Sequence, residues 1–277
     1  MSLALAILAV KNEKRQISYV LSALINEGLD VVLLDDGSTD GTRELAEHFL
    51  GKGLLEIRTR PDQGVYDWTS VLKWKKKVGS EFPHKWLVHV DADEWLQHPE
   101  QGKTLSDLIN EADAAGANAI DFEEFTFIPK PELSAEEDPR KTFTSYYWHK
   151  PIGFGYLRAW KKRAGISNIK SGGHGLHGPF LWARGGIKRY SKKGLLRHYP
   201  ILGVEHLKEK YGKRVFAQRD LDRGWHSDRL NLSDWSLSVF ENEHIFKLTK
   251  PTDKDFIRSN PINKHFWYED WPKPSQV

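Results

Sequence analysis

Cysteine is missing from all 277 residues, and methionine occurs once. Without a thiol there can be no disulfide framework, no thiolate nucleophile and no cysteine-based zinc site, a usage that fits a reducing compartment. Long apolar runs are missing too. The first, Leu3 to Val10, is followed at once by Lys11 and has no basic flank before it. It is too short to span a membrane and lacks the layout of a signal peptide, so a first strand is expected and the chain is read as cytoplasmic. The Asn231-Leu-Ser233 sequon then has no reason to carry a glycan. No Gly-x-Gly-x-x-Gly follows the first strand, where a dinucleotide fingerprint needs it, and Gly-x4-Gly-Lys-Ser/Thr is absent, which excludes a P-loop. No internal repeat is visible.

Acid is also missing where base is plentiful. Residues 1–140 carry 15 Lys or Arg against 26 Asp or Glu, residues 141–215 carry 17 against 2, and none of the acids lies between Asp138 and Glu205. A basic block of this kind either solvates a surface or attracts phosphates, anionic lipids or acidic sugars. The acidic first half argues against a long basic track for nucleic acid.

What is there centres on Trp86-Leu-Val-His-Val-Asp-Ala-Asp-Glu-Trp95, an apolar strand that breaks into three acids. Asp91 and Asp93 at a strand-to-loop junction can converge on one hard cation, Mg²⁺ or Mn²⁺, that phosphate oxygens complete. A solvated acidic turn is the plain alternative. A second strand, Val31 to Leu34, delivers Asp35-Asp-Gly-Ser-Thr-Asp-Gly-Thr42 before a helix expected over Arg43 to Leu50. Gly37 and Gly41 suit the tight backbone, and Ser38, Thr39 and Asp40 are good caps. Two strands thus end in acids at the edge where open α/β sheets bind ligands.

Together with Val10-Lys-Asn-Glu13 after the first strand, Asp36-Gly-Ser-Thr-Asp-Gly41 and Asp91-Ala-Asp93 make the chain resemble glycosyltransferase family 2 over about residues 3–130. Arg197-His-Tyr-Pro200 matches the bacterial branch with a late His-Tyr-Pro segment. The resemblance implies an A-type glycosyltransferase fold: a doubly wound, mainly parallel, Rossmann-like α/β sheet. Residues 1–130 would form the donor-binding half and 131–277 a mixed α/β acceptor half of the same compact domain. It implies transfer of a sugar, with inversion, from a nucleoside diphosphate to an acceptor hydroxyl, as in assembly of cell-surface polysaccharide or glycolipid. By the same resemblance Asn12, Glu13, Asp36, Ser38 and Asp91 would serve the nucleotide, and His198 would join Asp91 and Asp93 at the metal, Mn²⁺ or Mg²⁺; at the end of the third strand Arg60 or Asp62 could touch the nucleotide if the sheet is parallel. Asn12 has a second reading as a helix cap, and His198 as a buried, hydrogen-bonded histidine.

Inversion asks for a general base, and the acid-free window covers the place where the family usually has it. Glu123, Glu124 and His174 of Ser171-Gly-Gly-His-Gly-Leu-His-Gly178 are the candidates, with Glu205, Asp220 and the Glu137-Asp138 and Glu269-Asp270 dipeptides behind them. Further elements are expected as helices over Glu13–Glu27, Tyr66–Val78, Thr104–Ala115 and Val204–Leu221. Strands are expected over Leu54–Thr59, Ala119–Ile128, Thr142–Trp148, Tyr156–Lys162, Ile187–Tyr190 and Leu195–Tyr199. Lys73, Lys75, Lys76 and Lys77 are expected on a wet helix face, and the basic Val204–Leu221 helix either packs on the core or rests on an anionic bilayer, a peripheral membrane contact. The acceptor is expected to be a glycan, lipid-linked or acidic. Two rival functions stay open: a sugar nucleotidyltransferase, against which the glycine-free first loop counts, and a non-catalytic nucleotide-sugar or glycan-binding module.

Overall fold

The computed structural model describes residues 2–129, 138–151, 156–162, 186–230 and 242–266. Five elements build one side of the sheet: β1 (Ala4–Val10), α1 (Ile17–Asn26), β2 (Asp30–Asp35), α2 (Thr42–Glu47) and β3 (Leu54–Thr59). Then come α3 (Trp68–Glu81), β4 (Trp86–Asp91), β5 (Glu94–Gln97), α4 (Leu105–Ala114) and β6 (Ala119–Phe127). The second half adds α5 (Pro139–Thr142), β7 (Ser145–His149), β8 (Tyr156–Lys161), β9 (Gly194–His198), α6 (Val204–Tyr211), α7 (Gln218–Leu221) and β10 (Ile245–Lys247).

Strand order is β10-β7-β6-β8-β4-β1-β2-β3, with β9 between β5 and β6. The β3-β2-β1-β4 section is parallel, whereas β4-β8, β8-β6, β6-β7 and β7-β10 are antiparallel. Helices flank the parallel strands on both faces, so β1, β2 and β4 read as nearly unbroken apolar runs and are buried except for one partly exposed residue in each, Ala9, Asp30 and Asp91. Because β1, β2 and β4 run the same way, Val10, Asp35 and Asp91 all end at one edge. The expected α/β class holds; the parallel description applies to its first half. One sheet runs through residues on both sides of position 130.

Several boundaries differ from expectation for identifiable reasons. Helix α1 starts at Ile17 rather than Glu13; residues 14–16 form a turn in which Gln16 N and Ile17 N both donate to the Glu13 carbonyl at 2.9 Å, while the N–H groups of residues 12–14 bind the loop after β2. Residues 187–190 form no strand; Arg189 makes a single bridge to Ala119. The helix expected over Val204–Leu221 ends at Tyr211 and resumes at Gln218, since the chain between them turns to bridge Phe216 to Tyr66. Its apolar residues Leu207, Tyr211 and Phe216 are buried with Tyr147, Ile201 and Ile262, which selects core packing over the bilayer. Among the described residues no helix is long and apolar enough to cross a membrane.

Candidate functional site

The loops after β1 and β2 lock each other. Asn12 adopts a left-handed backbone (φ 56°), its N–H donates to Ser38 Oγ at 2.9 Å, and its side-chain oxygen accepts from Thr39 N at 2.8 Å. The N–H of Glu13 donates to Thr42 Oγ1 at 2.8 Å and that of Lys14 to Asp40 at 3.0 Å. Asn12 and Ser38 therefore shape the loops here, and Asn12 is not the cap of α1. Gly37 holds φ 73°, and an added Cβ would lie 2.5 Å from Asp62 N. Both backbone strain and a clash with main chain oppose a side chain there. Gly37→Ala is expected to cost about 1–3 kcal/mol, measurable as a lower urea midpoint, whereas an unchanged midpoint would mean the loop simply shifts.

These loops, the end of β4 and the α6 region enclose a cleft lined by Glu13, Asp36, Asp91, Asp93, His198 and Lys210, with Trp68, Arg214 and Arg229 among its other walls. Asp36 is 3% exposed; one carboxylate oxygen accepts from Arg60, whose guanidinium also donates to Ser70 Oγ at 2.9 Å and lies 4.9 Å from the Trp74 ring centre. The other oxygen of Asp36 is buried without a hydrogen-bond partner, and so is Oε2 of Glu13. Buried orphan acceptors are rare in proteins, and two in one cleft mark where a donor-bearing ligand would sit.

Each acid of the Asp91-Ala-Asp93 pair meets a buried ammonium. Lys75 Nζ lies 3.0 Å from Asp91 Oδ1 and 2.8 Å from the Val90 carbonyl, and its side chain is 5% exposed. It is not on the wet face expected for it, because one of the four lysines on α3 must turn toward the sheet where the strand ends in acid. Lys210 Nζ, from α6, lies 2.9 Å from Asp93 Oδ2 and 3.1 Å from Glu13 Oε1. Burial alone would raise both aspartates; Lys75, His89 and Arg158 together outweigh it and hold Asp91 well below the usual carboxylate range, and Lys210 with His198 lowers Asp93. For Glu13 burial wins over Lys210 and the carboxyl is raised. Glu94 is likewise pushed up by burial, with Arg158 pulling against it in direct contact.

His198 Nδ1 lies 2.6 Å from Glu124 Oε1, leaving Nε2 turned to the cleft at 3.9 Å from Asp93 Oδ1. Burial opposes its charge, but Glu124 raises its pKa. Glu124 is 2% exposed and also accepts from Thr126 at 2.7 Å, so it acts behind His198 and does not itself line the cleft. Glu123 points to the opposite face of β6, 2.7 Å from Arg258. Of the remaining base candidates, Asp220 is fully buried against the start of α3, accepting from Trp68 N at 2.7 Å. Glu205 is exposed beside Arg15, and Asp138 caps α5. His174, Glu137, Glu269 and Asp270 lie outside the described residues.

His89, one turn of the pleat before Asp91, is buried beside Lys75 at 3.5 Å and is pushed down to about 3, first by burial and then by that lysine. The folded chain refuses a proton that the unfolded chain takes up below pH 6.5, so stability is complete above that pH and falls toward pH 3 at about 1.4 kcal/mol per unit. His89→Gln should flatten the profile between pH 6.5 and 5, read from urea midpoints. Equal slopes in wild type and variant would refute this.

Fold and cleft define the class: a Rossmann-like α/β protein with acids gathered at the carboxyl ends of its parallel strands. The family follows from comparison. The model of "Glycosyl transferase family 2" matches residues 6–166, and the chain belongs to that family. An uncharacterised protein of Methanocaldococcus jannaschii is 28% identical over 119 residues, covering 42% of this chain and 49% of the relative. The chain thus spans about half the length of that relative. Among solved structures, S. aureus TarS aligns at 14% identity and TM-score 0.46, covering 77% of this chain and 38% of that one. Glucosyl-3-phosphoglycerate synthase from Mycobacterium tuberculosis, solved with Mn²⁺, uridine diphosphate and phosphoglyceric acid, aligns at 17% identity and TM-score 0.28, covering 44% and 43%.

Proposed function

We propose that this chain transfers a sugar from a nucleoside diphosphate to an acceptor hydroxyl, with inversion and with the help of Mn²⁺ or Mg²⁺. The observation that carries this reading is the convergence of Asp36, Asp91 and Asp93 on one cleft that also holds two orphan buried oxygens. Asp36 and Glu13 would take the hydroxyl or N–H donors of the nucleoside, with Arg60 fixing Asp36 from behind. Asp91, Asp93 and His198 would hold the cation. They fit it chemically: the set is two carboxylates and an imidazole, and the bond from Glu124 keeps the His198 nitrogen nearest Asp93 turned toward it. When bound, the ion would offset charge on the departing diphosphate.

The chain's own residues supply the rest. Lys210, Arg214 and Arg229 line the cleft as cations that would face phosphate oxygens of a donor. The cleft holds about 90 Å³, well below the several hundred Å³ of an ordinary ligand site, so a bound donor would extend beyond it or part its walls. Glu124 is a positioning residue for His198. The acceptor end we place on the basic half, for a glycan that is lipid-linked or acidic, in cell-surface polysaccharide or glycolipid assembly at the inner face of the membrane.

The test is thermal stability against a panel of nucleoside diphosphates with Mn²⁺, Mg²⁺ or EDTA, on wild type and Asp93→Asn. A shift for one nucleotide that needs metal and vanishes in the folded variant is expected, followed by transfer from the matching sugar nucleotide. No shift under any metal condition would favour a binding module for another ligand. Release of pyrophosphate from a nucleoside triphosphate and sugar phosphate would favour the nucleotidyltransferase.

A further inference from the structure

Behind His198, outside the cleft lining, Glu124 shares its two oxygens between different partners. Oε1 faces His198 and Thr126, while Oε2 lies 3.4 Å from His149 Nδ1. His265, from the segment after β10, stacks on His149 with ring centres 3.9 Å apart. Glu124, His149 and His265 each offer one ligand atom, all within 4.8 Å of one another. We propose that these three residues form a second metal site, for a transition-metal ion of the Zn²⁺ class, that fastens the C-terminal segment to the sheet.

The donor set decides the class of ion. Two imidazoles with one carboxylate suit Zn²⁺, Co²⁺ or Ni²⁺, whereas Mg²⁺ and Ca²⁺ prefer oxygen alone, and the lack of cysteine leaves nitrogen and oxygen as the ligands on offer. The backbone brings the donors together. His149 ends β7, and the Ile262 segment is held on that strand by Ile262 N donating to Trp148 O at 3.1 Å and Lys150 N donating to Ile262 O at 2.9 Å. That pairing carries His265 over His149. Hydroxyls stand ready as outer partners: Tyr156 lies 2.6 Å from His149 Nδ1, and Tyr147 lies 2.9 Å from His265 Nδ1. Such outer contacts orient ligating imidazoles in metal sites. Glu124 and His149 are 2% and 6% exposed, while His265 is half-buried and gives the ion a way in. Loading requires the two stacked rings to tilt, so that one nitrogen of each meets the ion with Glu124 Oε2. This inference does not depend on glycosyl transfer.

The experiment is a Co²⁺ titration of the chelator-stripped chain, followed by visible absorption, with Zn²⁺ as competitor and thermal stability read in parallel. In Asp93→Asn, which disables the cation site proposed for the cleft, the chain should develop ligand-field bands that saturate at about one equivalent, lose them to Zn²⁺ but not to Mg²⁺, and melt higher with Zn²⁺. His265→Gln added to Asp93→Asn, checked for fold by circular dichroism, should lose both the bands and the thermal shift. Tyr156→Phe should weaken binding by about 10–100-fold. Wild type should show the same bands, with any Co²⁺ held by the cleft acids added to them. Absence of bands in Asp93→Asn overturns the proposal, as do bands that survive His265→Gln added to Asp93→Asn. Bands lost in Asp93→Asn would place the ion in the cleft instead. If His265→Gln does not fold, the wild-type titration together with Asp93→Asn decides.

Discussion

Arg158→Met is expected to cost about 3–5 kcal/mol of folding stability, and Glu94→Gln added to it should return more than half of that loss. Arg158 is 1% exposed, in direct contact with Glu94, and the charges of Asp91 and Glu124 also act on it. It is the buried cation of β8, set among acids of β4, β5 and β6. Removing it alone leaves Glu94 buried without its counter-charge, which costs far more than the net worth of the pair. Gln at 94 removes the charge yet keeps an oxygen for the Asp91 N–H, which donates to Glu94 Oε2 at 3.1 Å. Recovery should be incomplete, since Asp91 and Glu124 still miss the guanidinium. Urea midpoints with unchanged slopes would measure both steps. A single-variant loss below about 1 kcal/mol, or a double variant no better than the single, would show that water or a neighbouring cation reaches Glu94.

That pair also shows what the sequence hides. The first half was legible because its signals are local: apolar strands ending in acid, caps such as Thr104 with Asp107 on α4, and glycines at positive φ such as Gly37. The charge asymmetry was visible as well, but its meaning was not. A solvated surface and an anion-binding block were the readings on offer, and much of the block instead answers the acids of the first half. Arg158 meets Glu94, Lys161 meets Asp113 at 3.0 Å, Arg189 meets Asp121 at 2.7 Å, and Lys210 meets Glu13 and Asp93. Sequence separation hides such pairing, because it needs the antiparallel return of β8 beside β4. The same reason concealed Lys75, whose run of neighbouring lysines looked uniformly solvated until the α3 face against Asp91 was known. His265 had no motif at all; only the Ile262 bridge to β7 brings it to His149.

On the proposed metal-dependent transfer, Lys210→Met is expected to tighten Mn²⁺ binding in the absence of nucleotide by about tenfold or more, while lowering sugar transfer by about 10²–10³-fold. The two effects run in opposite directions for one reason. Lys210 now satisfies Asp93 and Glu13 from within, so an incoming cation must displace an ammonium that is 5% exposed. Taking the ammonium away leaves two buried acids facing one cleft and favours the ion that replaces it. In the wild type the displaced ammonium has somewhere to go, because a bound donor would bring phosphate oxygens to the same wall. Glu13 and Lys210 also separate the cleft from a wider hollow of about 890 Å³ lined by Asn12, Arg15 and Lys213, so movement of Lys210 would enlarge a site that is otherwise too small for a nucleotide. Mn²⁺ affinity by paramagnetic resonance and transfer rate at saturating Mn²⁺ separate the two roles. Unchanged affinity would mean that Lys210 does not compete for Asp93. An unchanged transfer rate would mean that its charge never reaches the diphosphate, and the cationic partners of the leaving group would then be Arg214 and Arg229 on the same wall.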